Sequence, residues 1–156
     1  MDGIDAKLLN ILSENSNVTA TEITQKVNLS IPAINKRISK LTQRGIIRQF
    51  TILVDNKMAG KPIQAFILIV VQPNSAADKL TKYVQSDPDI LECYAVTGEY
   101  DYLLKVCAKD VEGLEDKLLH LKRQLGVIKS HTMLSLLEHK FQPSAMPDMP
   151  EKNKDL

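Results

Sequence analysis

With 156 residues, 44% apolar, 25% charged and 4% aromatic, the chain has the composition of a soluble globular protein with an aliphatic core, which excludes global disorder. A net charge of +1 excludes binding to nucleic acid by bulk charge alone, and no apolar run is long enough to cross a bilayer. The N-terminus, "MDGIDAKLLNIL", is acidic where a signal peptide is basic, so a cytoplasmic protein without a membrane partner is expected.

The charge is unevenly spread. Residues 1–50 carry 7 basic and 4 acidic side chains, and within residues 28–50 Lys36, Arg37, Lys40, Arg44 and Arg48 occur with no acid among them. A local basic patch on a near-neutral chain is the footprint of a face that meets phosphate, whereas a merely solvated face mixes signs.

Ile4, Leu8, Leu9, Ile11 and Leu12 recur at helical spacing, with Asp2 or Asp5 near the positive end of the helix they predict. After the polar break "SENSN", Thr19 with Glu22 reads as a capping box, and Ile23 and Val27 supply the stripe of a short second helix. "NLS" makes a tight connection to a third helix that opens at Ser30, Ile31 and Pro32. Its stripe is Ile34, Ile38 and Leu41, and it ends at Gly45.

The residues of the third helix that point away from its stripe are polar and basic. Two short helices joined by a tight turn, the second with such a face, predict a helix-turn-helix whose second helix enters the major groove of double-stranded DNA. Ser30, Ile31 and Pro32 form the leading end of this surface. Asn35 can bond bidentately to adenine, Ala33 can meet a thymine methyl, and Lys36, Arg37, Lys40 and Arg44 are expected to hold phosphates. The β-branched "IIRQFTILVD" is expected to form a small wing and a connecting strand.

In the remainder, "KPIQAFILIVVQP" reads as a strand and "SAADKLTKYVQSDPD" as a helix capped by Ser75, with Ala77, Leu80, Tyr83 and Val84 inward and a stop at Pro88. "ILECYAVTG" and "DYLLKVCA" read as two strands joined by a turn. "DVEGLEDKLLHLKRQL" is a helix on Val111, Leu114, Leu118 and Leu121, and "VIKSHTMLSLLEH" a last strand. The order β-α-β-β-α-β predicts a ferredoxin-like module, so the fold class is α+β. The expected organisation is a winged helix-turn-helix over 1–49, a connecting strand or hinge over 50–61, the ferredoxin-like dimerisation domain over 62–142, and a disordered tail over 143–156. Leu68 and Val70 point to one face of the sheet and Ile67, Ile69 and Val71 to the other. A face with no helix to cover it predicts a homodimer.

These features together resemble the leucine-responsive regulatory protein/AsnC family of feast/famine transcription regulators. The likeness rests on the segment from "IDAKLLNIL" to "RGIIRQFTILVD", on "ECYAVTGEYDYLLKV" and on "GVIKSHTML", and it covers residues 2 to about 140. The resemblance implies a module that dimerises through its sheet, often with dimers assembling into octamers, and an amino-acid effector bound in clefts between dimers. It places that cleft at Thr97, Gly98, Glu99, Tyr100 and Asp101, with Thr132, Met133 and Leu134 from a neighbouring dimer. Gly98 can expose backbone N–H groups to a carboxylate and Asp101 can meet an α-ammonium. Glu99 departs from the family pattern and adds a carboxylate at the mouth.

Cys93 and Cys107 fit no metal spacing and are expected as reduced core thiols, or as a redox pair if their strands form a hairpin. His120, His131 and His139 lack partners at ligand spacing, and no phosphate loop, nucleophile elbow or HExxH occurs, so no metal, cofactor or catalytic residue is expected. Two rival readings share the scaffold: an architectural protein that wraps DNA without an effector, and an enzyme resembling siroheme decarboxylase subunits.

Overall fold

A computed structural model of the chain describes residues 1–73 and 76–148. It divides into two compact units, Met1–Leu53 with the segment from Lys140, and Val54–His139. The division falls within residues 50–61, the segment expected to connect two domains. Ser75, the expected helix cap, and residues 149–156 of the expected tail lie outside the described residues.

The N-terminal unit holds three helices, α1 (Gly3–Glu14), α2 (Ala20–Val27) and α3 (Ile31–Gln43). Asp2 caps α1: one of its carboxylate oxygens accepts from the Ile4 N–H at 3.0 Å and the Asp5 N–H at 2.8 Å, while Asp5 accepts from the Asp2 N–H at 3.2 Å. Thr19 and Glu22 form the same reciprocal box at α2, with Glu22 accepting from the Thr19 N–H at 2.8 Å. Asn28 takes the left-handed conformation at φ 52° and turns the chain from α2 to α3. Ser30 occupies the cap position of α3 without making the side-chain capping bond, so the start of α3 rests on its backbone and on Pro32. At the other end Gly45 adopts φ 70°. The Gly45 N–H donates to Thr42 and the Ile46 N–H to Leu41, each at 2.9 Å, a Schellman stop that needs the left-handed glycine.

Leu8, Ile23 and Ile34 form the core of this unit, with Ile4, Ile11, Leu12, Val18, Val27, Leu29 and Ile38 packed against them. The caps make the unit acid-sensitive. The backbone N–H of Asp5 and the guanidinium of Arg37 hold the Asp2 carboxyl below the ordinary aspartate range, and the Thr19 hydroxyl and N–H hold Glu22 below the ordinary glutamate range. Both groups bind protons less readily when folded. Their contribution is therefore complete above the unfolded values and is lost as pH falls through the folded ones. A melting temperature that is flat from neutral pH to about 4.5 and falls below it is expected in a pH series; a rise on acidification would contradict the assignment.

The expected wing and connecting strand do not form in the single chain: residues 46–55 contain no strand. A β-branched segment needs a neighbouring strand for its backbone hydrogen bonds, and none of the described strands pairs with it. Its apolar side chains stay exposed, Phe50 at 54%, Ile52 at 80% and Leu53 at 66%.

The second unit runs β1 (Ile63–Val71), α4 (Ala77–Ser86), β2 (Ile90–Ala95), β3 (Tyr102–Ala108), α5 (Val111–Gln124) and β4 (Val127–Leu134). The order is the β-α-β-β-α-β expected, and the antiparallel sheet is ordered β2-β3-β1-β4. Ala65, Ile67, Ile69, Val71, Leu104 and Val106 are buried with Leu80 of α4 and Leu114 and Leu121 of α5. The opposite set on β1, Gln64, Phe66, Leu68 and Val70, is only half-buried. Register places Leu68 between Leu103 and His131, and Phe66 between Lys105 and Met133, so one sheet face is apolar at its centre and is not the face on which α4 and α5 pack.

Three details differ from the expected ones. Val111, the first residue of α5, is 63% exposed, because the first turn of the helix lies outside the core. Ala76, not a side-chain capping residue, precedes α4. β4 ends at Leu134; the Ser135 N–H still donates to the Gln64 carbonyl at 2.8 Å, and Leu136 and Leu137 beyond it are exposed. A polar network ties the α4–β2 connection down. Asp87 accepts from the Tyr83 hydroxyl at 2.7 Å, from Lys117, and from the Asp89 N–H at 2.9 Å, while Lys61 pairs with Asp89. Burial opposes ionisation of Asp87, but the bonds from Lys117 and Tyr83 outweigh it and its carboxyl lies below the ordinary value.

Candidate DNA interface and effector turn

On α3 the buried residues Ile34 and Leu41 leave Asn35, Lys36, Lys40 and, just past the helix end, Arg44 exposed on the opposite side. Ser30, Ile31 and Pro32 are exposed at its leading end, and Ala33 is half-buried. Ala33, Lys36, Arg37, Lys40 and Arg44 line a cleft of about 500 Å³ together with Met1, Asp2 and Asp5. Five residues of the expected surface are thus brought together, with two acids that are far from them in sequence. Nη1 of Arg37 donates to Asp2 and to Asp5, both at 2.7 Å, and these bonds raise the guanidinium's already high pKa. Lys36, Lys40 and Arg44 appear in none of the ion pairs found among the described residues.

The effector turn spans the gap between β2 and β3. Thr97, Gly98 and Glu99 are exposed and Tyr100 is half-buried, and Gly98 adopts φ 113°, a conformation that side-chain-bearing residues rarely take. Asp101 stitches the turn to the sheet. Its N–H donates to Ile69, its C=O accepts from Val96, and its carboxylate accepts from the Val71 N–H, each at 2.9 Å. Replacing Asp101 with Ala is expected to leave the Val71 N–H unpaired and to cost about 1–3 kcal/mol. Asp101→Asn keeps an acceptor oxygen there, so its melting temperature should stay near the wild-type value. Equal melting losses in the two variants would show that this hydrogen bond contributes nothing.

Sequence reasoning did not anticipate Lys129. It pairs with Glu99 at 3.5 Å, and its ammonium lies 4.6 Å from the centre of the Tyr100 ring. Glu99 and Lys129 have side chains 83% and 52% exposed, so the pair is weak in energy, but it balances the additional carboxylate. Thr132, Met133 and Leu134 are not brought to the turn within one chain. They pair with Ile67, Phe66 and Ala65, while the turn is anchored at Ile69 and Val71 and lies on the β3 side of β1.

Cys93 and Cys107 are free thiols. Cys93 faces Leu104 in register, so Cys107 lies three residues further along β3, on the other face. Burial pushes both thiols up, which keeps them protonated and unreactive. His120 stacks on Tyr83 with ring centres 4.6 Å apart, and the described residues contain no cluster suited to a metal.

Residues 64–145 match the model of the Lrp/AsnC ligand-binding domain, and residues 1–48 match that of a winged helix-turn-helix DNA-binding domain. The chain belongs to the Lrp/AsnC family. It is 37% identical over 143 residues to the HTH-type transcriptional regulator FL11 of Pyrococcus furiosus, a match covering 90% of this chain and 92% of that one. The HTH-type transcriptional regulator LrpC of Bacillus subtilis is 33% identical over 116 residues, covering 74% of this chain and 80% of that one. Among solved structures, the Neisseria meningitidis regulator NMB0573 in complex with L-Met superposes with a TM-score of 0.88 at 31% identity, over 93% of this chain and 96% of that one. The chain is thus a helix-turn-helix transcriptional regulator of the Lrp/AsnC type, with a ligand-binding domain on a ferredoxin-like scaffold. No helix among the described residues is long and apolar enough to cross a membrane.

Proposed function

We propose that this Lrp/AsnC regulator reads DNA with α3 and that its assembly or DNA binding responds to an amino acid held at the turn Thr97–Asp101. Asn35 and Ala33 contact bases, Ser30, Ile31 and Pro32 guide the leading end of α3 to the backbone, and Lys36, Lys40 and Arg44 hold phosphates. The observation that carries the effector assignment is the turn itself, where Gly98 at φ 113° leaves backbone exposed beside the carboxylate of Asp101. Support comes from the Neisseria relative and a Mycobacterium tuberculosis feast or famine regulatory protein at 25% identity, whose solved structures are both complexes with L-methionine.

Thr132, Met133 and Leu134 would wall the cleft from a neighbouring copy, which requires oligomers. The sheet face around Phe66, Leu68 and Leu103 supplies the dimer contact, and dimers assemble further, to octamers. A helix-turn-helix dimer also matches the two-fold symmetry of paired DNA half-sites. The protein works where the DNA is, in the cytoplasm at the nucleoid. A thermal-shift series with the twenty amino acids tests the effector, because a ligand selective for the folded state raises the melting temperature. At least one is expected to do so, with a weaker response in Asp101→Asn. If none does, and DNA binding and assembly ignore all twenty, the protein is an effector-independent DNA-wrapping protein. A monomeric mass in gel filtration would overturn the dimer.

A further inference from the structure

Arg37 lies on the DNA-facing helix, yet one of its guanidinium nitrogens, Nη1, is already held by two carboxylates. Asp2 and Asp5 each use one carboxylate oxygen to close the cap of α1 and turn the other toward the same Arg37 nitrogen. Neither acid can swing aside for a phosphate without undoing the first turn of α1. The Asp5 and Arg37 side chains are 14% and 31% exposed, so the contact is partly shielded from solvent and salt. A bridge from the start of α1 to the middle of α3 fixes the angle and rotation of α3 about its packing on Leu8 and Ile23. That angle decides whether Asn35 and Ala33 reach base edges.

We propose that Arg37 is a positioning residue: clamped by Asp2 and Asp5, it holds α3 in its base-reading orientation and is not a phosphate contact. The inference revises the expectation from sequence for Arg37, and it rests on the reading of α3 as the DNA-reading helix.

The test uses the full chain, a duplex selected by the wild-type protein from a random pool, and a mixed-sequence duplex, each titrated over a range of salt. Arg37→Ala is expected to lower the ratio of selected to mixed affinity about tenfold, the effect of losing one base contact. It should leave the slope of log affinity against log salt unchanged, whereas Lys40→Ala removes about 0.9 from that slope. The pair Asp2→Asn with Asp5→Asn keeps good capping residues, so α1 still starts normally. It removes two negative charges beside the DNA face, which by charge alone strengthens binding. The clamp predicts the reverse in specificity: the ratio falls as in Arg37→Ala, and combining all three changes lowers it no further.

A salt slope reduced by about 0.9 in Arg37→Ala with the ratio intact would make Arg37 a phosphate contact and overturn the proposal. So would an Asp2→Asn, Asp5→Asn variant that binds more tightly and just as selectively. A wild-type protein with no salt-dependent DNA affinity would overturn the reading of α3 itself, a distinct failure seen before any variant is made.

Discussion

Replacing Lys36, Lys40 and Arg44 together with Ala is expected to lower affinity for every duplex about a thousandfold at moderate salt and to reduce the salt slope by about 2.7. The three side chains are exposed on one side of α3, in and just beyond the segment 31–43. Each phosphate contact releases condensed counterions worth about 0.9 in slope, and a charge-assisted hydrogen bond of about 1.5–3 kcal/mol corresponds to tenfold or more in affinity. Because phosphates are alike in all sequences, preference among duplexes should survive, unlike in Arg37→Ala. Lys79→Ala, Lys82→Ala and Lys122→Ala together remove the same charge from exposed positions of α4 and α5 and serve as the control. Titrations in which both triple variants lose affinity equally would assign the binding to net charge and dismiss the α3 face.

Gly126→Ala is expected to destabilise the ligand-binding unit by about 2–5 kcal/mol, combining left-handed strain with overpacking. Gly126 joins α5 to β4 at φ 69°, and a Cβ there would lie 2.5 Å from the Gln72 carbonyl oxygen and 3.0 Å from the Ala76 side chain. The Gln72 N–H donates to the Gly126 carbonyl at 2.9 Å, so the two backbones are tied and cannot separate without losing that bond. Gly60→Ala isolates the steric part: its φ is similar, at 82°, but nothing lies within 4 Å of the added carbon. It should cost only the conformational share, about 1–2 kcal/mol. Equal melting losses in the two variants would show that the close approach at Gln72 relaxes freely.

The helices of the N-terminal unit were legible because their signals are local. The Thr19–Glu22 box spans four consecutive residues, and the glycine stop after α3 needs only the left-handed conformation of Gly45. The β-α-β-β-α-β order was legible for the same reason, since period and turn residues are read within one element at a time. The exposed segment around Ile52 shows the limit. Its β-branched composition is a true preference for extended backbone, but a strand exists only where a second strand accepts its hydrogen bonds.

Neither Arg37 nor Glu99 could be assigned from composition alone. Residues 28–50 contain no acid, so Arg37 reads as a free cation, yet its two partners come from 35 and 32 residues away. Glu99 reads as surplus charge, yet the pairing of β4 with β1 carries Lys129 to it. The sequence by itself determined the three N-terminal helices, the β-α-β-β-α-β order, which face of α3 is basic and where the glycine turn falls, since each depends on neighbours within a few residues. Only the tertiary structure decided which charges meet and what Asp101 is bonded to. Ion pairs and hydrogen bonds act over about 3 Å, and contacts between residues so far apart in the chain exist only after packing has set the positions of the elements that carry them.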